Sequence, residues 1–431
     1  MENDKQLTLE LASLRKLVAG DAVAIRGRAT LEPAGGPGDK VFPPTHLVEG
    51  RNPPPGARYA FEVRRISGRE ATCVLLDSVQ SQANRLEEAL QALWADRRIA
   101  LPVIEADFTA AAPDVGRLTS LSVPHRIADA LLRDSFDEKG DKPFRLTDLG
   151  RSFTDASPRN AASLFKACPS ALVFGFWDST GPKGGLGAKF PRALVSEIVG
   201  IDAVPGVKTS SRIDPAGIEK VAGPLFSKRV TSGDAPEWTL EESEAERDPK
   251  TKEPVLWRGK GRPSEANHGN QPPAIDREAG GVTVDHAEQT VVLSIAGLRK
   301  LDFGDRASTE AARTVLTALG LLAVLAAEDR GHDLRSRCLL VPRRGEALRL
   351  EIVYRDGTTA PLGATLDAAL TSFKEAVEAL PPGVAWMDGG GKPLQPGAPL
   401  ARLRPSPKLV SLIQKSRELG AVGSDVDDAG E

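Results

Sequence analysis

Residues 289–354 constrain the fold of this chain more than any other stretch. Gln289–Ile295 reads as a strand, Thr309–Glu328 as a long apolar helix, and Ser336–Val341 and Leu348–Tyr354 as two further strands. The apolar centre of that helix, Val315–Ala327, is too short to span a bilayer and predicts a buried core helix. A strand–helix–strand–strand unit needs other strands beside it to complete a sheet. The first part of the chain supplies them. Ala22–Thr30 reads as a strand, Tyr59–Ile66 and Ala71–Leu76 as a hairpin turning at Ser67 and Gly68, and a helix follows with Leu86, Leu90, Leu93 and Trp94 on one face. Val103–Phe108 then reads as the strand that closes a β-α-β unit. The fold class expected is α+β, a ferredoxin-like or RNA-recognition-motif palm carrying large insertions.

The interruptions have their own composition. Residues 35–56 are crowded with Gly and Pro and read as a long excursion from the core. Hydrophobic periodicity is lost from Thr231 to Pro273, where an acidic run, Glu237–Asp248, is flanked by Trp238 and Trp257 and followed by Arg258, Lys260 and Arg262. That segment reads equally as a protruding arm or as a disordered insertion. The chain is expected to be one palm over residues 1–385, with insertions at about 32–57 and 205–280. It begins with an amphipathic helix over 7–18 and includes another over 364–380. Residues 386–431 read as a C-terminal extension with an acidic, disordered end.

A net charge of −3 fits an ordinary soluble protein and does not announce a nucleic-acid binder, so any basic groove must be offset by acidic surface elsewhere. Cys73, Cys168 and Cys338 stand far apart in apolar surroundings, which predicts buried reduced thiols in the cytoplasm. The charged N-terminal segment lacks the apolar core of a signal peptide. The five histidines have no metal-ligand spacing, and neither HExxH nor GxSxG is present. No metal or other cofactor is expected.

The centre of the chain, Ser163–Gly200, holds the candidate site. Ala171–Trp177 reads as a buried strand, and Arg192–Val199 as a strand or a short helix. Between them lies a turn rich in glycine, Gly181, Gly184, Gly185 and Gly187, with Lys183, Lys189 and Arg192 around it. It is not a Walker A loop, because Gly187 is followed by Ala188, Lys189 and Phe190. The dinucleotide fingerprint fails too, with Phe190 where its third glycine should stand. Upstream, Asp77 or Ser78 can cap the helix that follows, whose start offers Ser81, Gln82, Asn84 and Arg85 to a sugar-phosphate chain. His125 reads as a cap or surface residue at the start of a helix over Val123–Leu132.

The stretches FKACPSALVFGFWDSTG and GGLGAKFPRALVSEIVGIDAV resemble the signature of the backbone RAMP subunit of type I-U, also called I-G, CRISPR Cascade complexes. LLDSVQSQANRLEEAL, VVLSIAGLRKL, AARTVLTALGLLAV and LRSRCLLVP extend the resemblance over roughly residues 15–355. It implies a hand-like RAMP fold and a non-catalytic subunit that coats the guide RNA in several head-to-tail copies and leaves it free to pair with target DNA. The implied partners are guide RNA, target DNA through the guide, further copies of the chain and the other Cascade subunits, with no membrane. By the same resemblance the RNA-backbone contacts would be Gln80, Ser81, Asn84, Arg85, Lys183, Lys189 and Arg192, with Arg212, Arg299 and Lys300 beside them. Two alternatives stand next to this reading: a metal-dependent RNA endonuclease using Asp77 and Asp178, and a scaffold that binds proteins alone.

Overall fold

The computed structural model describes residues 7–48, 53–139, 142–181, 184–219, 221–229 and 236–423. Its organising element is a mixed sheet built on Ala22–Pro33 (β1), Phe61–Ile66 (β2), Arg69–Asp77 (β3), Leu194–Ile201 (β4), His286–Ser294 (β5), Arg349–Tyr354 (β6) and Thr359–Gly363 (β7). Across the sheet these run β7-β6-β1-β5-β4-β3-β2, all antiparallel to their neighbours, and Leu7–Thr8 adds in parallel to β7. Four of them with two helices form the expected core. β1 is followed by helix Val79–Ala95 (α2) and then β4, while β5 is followed by helix Arg306–Arg330 (α3) and then β6. Their spatial order is fourth, first, third, second, the arrangement of a ferredoxin-like palm.

One strand assignment needs correction. Residues Ile104–Asp107 are extended, yet they do not close the palm's β-α-β unit; the strand that does so is β4. Ile104–Asp107 belongs to a separate four-stranded sheet with Arg117–Thr119, Ser135–Asp137 and Ala401–Pro405. The last of these lies between Ile104–Asp107 and Ser135–Asp137, so the chain past residue 386 is built into this second sheet. Its partners lie between 266 and 297 residues away in sequence, beyond the reach of any local pattern.

One face of the palm is covered by α2, α3, Leu11–Ala19 (α1) and Leu366–Glu378 (α4), whose apolar residues merge into the main core. Helix α3 meets the length and composition of a membrane span, but 72% of its apolar window is buried within the protein, which makes it the central core helix. A second cluster, with Val41, Tyr59, Val282 and Leu340, covers the rest of that face where the Gly- and Pro-rich excursion folds back. The opposite face is polar along β1 and β5, with a small apolar cluster of Ala71, Cys73, Val199 and Ile201 on β3 and β4. Arg26 bonds Glu351 at 2.7 Å and Arg64 bonds Glu197 at 2.9 Å, and β1 and β5 carry no Phe, Tyr or Trp. The segment after β4 is ordered where described: Lys208–Arg212 pairs with Gln271–Asp276 as a hairpin arm.

The junction of β3 and α2 is fixed by one carboxylate. Ser78 Oγ accepts from the Ser81 N–H at 3.2 Å and caps the helix. Asp77, 0% exposed, accepts instead from side chains: Ser81 Oγ at 2.8 Å, Gln82 Nε2 at 2.7 Å, Arg85 Nε at 2.9 Å and an Arg335 guanidinium N–H at 3.1 Å. Arg85 also donates to the carbonyls of Asp333 and Leu334, which ties the helix to the strand His332–Arg335. Removing the carboxylate leaves two guanidinium groups without their counter-charge. Asp77→Ala is therefore expected to destabilise the fold by about 3–5 kcal/mol, read as a lowered urea midpoint; a shift below about 1 kcal/mol would contradict the assigned role.

Candidate nucleic-acid interface

The excursion between α2 and β4 folds back beside the start of α2 and forms a groove with it. Its inner edge is the run predicted as one strand from Ala171 to Trp177. The structure corrects this: Ser170–Phe174 is a short helix, and only Phe176–Trp177 is extended, paired with Lys189–Phe190. Every residue from Ala171 to Phe176 is buried, so the sequence has no hydrophobic periodicity with which to tell helix from strand. Gly175 makes the change of direction at φ 91°, where an added Cβ would lie 2.9 Å from Arg192 Cγ.

The turn from Asp178 to Ala188 is held by packing and internal hydrogen bonds. Asp178, 1% exposed, forms an ion pair with Arg145, whose guanidinium lies 4.6 Å from the Phe153 ring centroid. The Asp178 N–H donates to Ala188 O at 2.9 Å, and the Gly184 and Gly187 N–H groups donate to Gly181 O and Gly184 O. At Gly187 a Cβ would sit 2.1 Å from Asp178 O, so close approach of the backbone demands glycine there. The amides of Gly184 and Gly187 are thus spent within the turn.

Beneath the groove lies Arg126, at φ 52° in the left-handed region, in a short 3-10 turn rather than at the start of the longer helix expected over Val123–Leu132. Its guanidinium bonds both carboxylate oxygens of Glu87, at 2.7 and 2.5 Å, and Gly175 O at 2.9 Å. It thereby joins α2 to the Gly175 bend. The groove encloses about 600 Å³, with Gln80, Asn84, Trp177, Lys189 and Arg192 around it. Gln80 and Asn84 are exposed one helical turn apart on α2. Lys189 and Arg192 are exposed opposite them, in no hydrogen bond or ion pair among the described residues. Lys189 Nζ lies 4.8 Å from the Trp177 ring centroid.

The proposed contact residues thus divide. Gln80, Asn84, Lys189 and Arg192 come together in the groove. Ser81 and Arg85 turn inward to Asp77. Arg299 donates to the carbonyls of Leu17, Val18 and Gly20 at 2.7–2.9 Å and so caps the C-terminus of α1, with Lys300 exposed beside it. Arg212 is on the hairpin arm, 3.8 Å from Asp214. Lys183 lies outside the described residues. The groove residues not anticipated are Trp177, His125 and Arg126; the two-residue strand that turns Trp177 outward is too short to leave an alternating pattern.

Neither carboxylate of the nuclease alternative is presented to a cation. Asp77 is held by four side-chain donors, two of them arginines, and buried Asp178 is paired with Arg145. That donor set does not fit a divalent metal, which would have to displace guanidinium groups already neutralising the same oxygens.

Residues 25–205 match the family model described as CRISPR-associated protein GSU0053. That span of the chain is similar to a CRISPR-associated family. The matched segment contains all the groove residues, and it agrees with the resemblance to the backbone RAMP subunit of type I-U Cascade. No curated protein matches the chain. Among solved structures, the crystal structure of Thermofilum pendens Csc2 is 13% identical, with 85% of this chain and 79% of that chain covered and a TM-score of 0.25. So low a score carries no argument, and the fold assignment stands on the palm's strand order.

Glu87 gives a pH-dependent test of the groove's floor. Burial pushes its carboxyl from 4.5 up to about 7, outweighing the lowering effect of Arg126. Folding therefore takes up a proton between those values. The stability this group contributes is full below about pH 4.5 and is lost as pH rises through about 7. The loss is on the order of 3 kcal/mol. Urea titrations on either side of this window should show wild type losing more stability than Glu87→Gln as pH rises; identical pH profiles would contradict the assignment.

Proposed function

We propose that this chain is a non-catalytic RNA-binding backbone subunit. It assembles head to tail along a CRISPR guide RNA in a type I Cascade-like surveillance complex and presents that RNA for pairing with target DNA in antiviral defence. The observation that carries the reading is the groove at the start of α2, where Lys189 and Arg192 face the amides of Gln80 and Asn84. Exposed cations with no hydrogen bond or ion pair among the described residues suit phosphates, and the exposed first turns of a capped helix favour the same negative charge. Such contacts read shape and charge rather than sequence, as a guide of any sequence requires. Lys183, Arg212 and Lys300 would extend the track beyond the groove.

Head-to-tail assembly needs two different surfaces that fit each other. The region around the hairpin arm exposes Ile213 at 87%, Val221 at 88% and Ile275 at 61%, apolar side chains suited to docking on a neighbouring copy. Guide-end-capping, large and small subunits of the complex would meet the ends and flank of such a filament. Destruction of the target would fall to a separate nuclease, since the buried Asp77 and Asp178 are already paired.

Replacing Lys189 and Arg192 together by Gln should weaken single-stranded RNA binding and flatten the dependence of log affinity on log salt by about 1.4, at about 0.7 per phosphate contact. Fluorescence anisotropy across a salt series measures both. Unchanged affinity and slope in a variant that melts like wild type would refute the groove as the RNA site.

A further inference from the structure

We propose that Trp177 is a nucleobase platform, on which one base of the bound RNA stacks while Lys189 and Arg192 hold the phosphates beside it. This rests on the RNA-binding reading above. Trp177 is 50% exposed, a large apolar surface left facing water at the rim of a polar groove. Its orientation is imposed by its neighbour. Phe176 is 5% exposed and packs edge-on against Phe153 with ring centroids 6.0 Å apart, so the next side chain on the strand must point the other way. Lys189 is the cross-strand partner of Trp177, with its ammonium over the indole. The ring is therefore held in place before any ligand arrives.

The surroundings suit a base better than an aliphatic side chain. Gln80 and Asn84 each present both donor and acceptor groups, and a pivot of the amide lets either group meet a base edge. The space, about 600 Å³, accommodates a nucleotide. Stacking on a π-face is tolerant of sequence, and so are side-chain amides that can pivot to meet any base edge.

The test is a cycle between the ring and the base. Full-length wild type, Trp177→Ala and Trp177→Phe are titrated by anisotropy with a fluorescein-labelled single-stranded RNA and with the corresponding ribose-phosphate chain lacking bases. Trp177→Ala is expected to lose about tenfold in affinity for RNA, Trp177→Phe to keep most of it, and all three to bind the baseless chain alike with an unchanged salt slope. Equal RNA binding by wild type and Trp177→Ala overturns the platform while leaving the groove's phosphate role intact. An equal loss on the baseless chain also overturns it, because Trp177 would then act only by placing Lys189. Wild type that binds neither probe, with a normal melting transition, refutes the RNA reading on which the inference stands.

Discussion

The groove exists because a buried arginine joins its two sides. Arg126 holds Glu87 of α2 through two hydrogen bonds and the Gly175 carbonyl through a third, with its side chain only 8% exposed. That tie adds a directional link to the apolar packing between the helix that offers Gln80 and Asn84 and the bend that carries Trp177, Lys189 and Arg192. The tie is costly in isolation, since both charges are desolvated. Glu87 shows this in its tendency to keep a proton near neutrality. A polar contact bought at this expense gives the groove a defined width rather than added stability.

Asp77 plays the matching part at the other end of the same turn. By gathering Ser81, Gln82 and Arg85 on the inner side of α2, it leaves Gln80 and Asn84 outward. The charge pattern follows from this division. Arg85, Arg126, Arg145 and Arg299 lie inside, bonded to carboxylates or carbonyls, while Lys189 and Arg192 stand free of such partners among the described residues. A chain with a net charge of −3 can thus hold a locally basic groove, because what matters is which cations remain unneutralised at the surface.

Much of the palm was legible in the sequence. β1, the β2–β3 hairpin, α2, α3 and β6 announce themselves by period and by turn residues, and each lies within a residue or a few of its expected place. Long-range pairing was not legible: nothing local in Ile104–Asp107 says that its neighbour is Ala401–Pro405. Nor was the helix at Ser170–Phe174, where burial on every side erases the periodic signal. In the site, the sequence brought forward the right segments without saying which side chains face out. Gln80 and Asn84 differ from Ser81 and Arg85 only in their angle about the helix axis relative to Asp77, and that angle is a property of the packed structure. Arg299 looked like a surface cation because the carbonyls it caps belong to α1, far away in sequence.

The central claim is that this chain holds guide RNA, and the most direct measurement is of the nucleic acid it retains. The protein is co-expressed with a CRISPR array, its absorbance ratio at 260 and 280 nm is read after purification, and the bound RNA is sequenced. The account predicts a high-mass particle carrying discrete repeat-spacer RNA. An RNA-free monomer, obtained even when the remaining subunits of the complex are co-expressed, would contradict it.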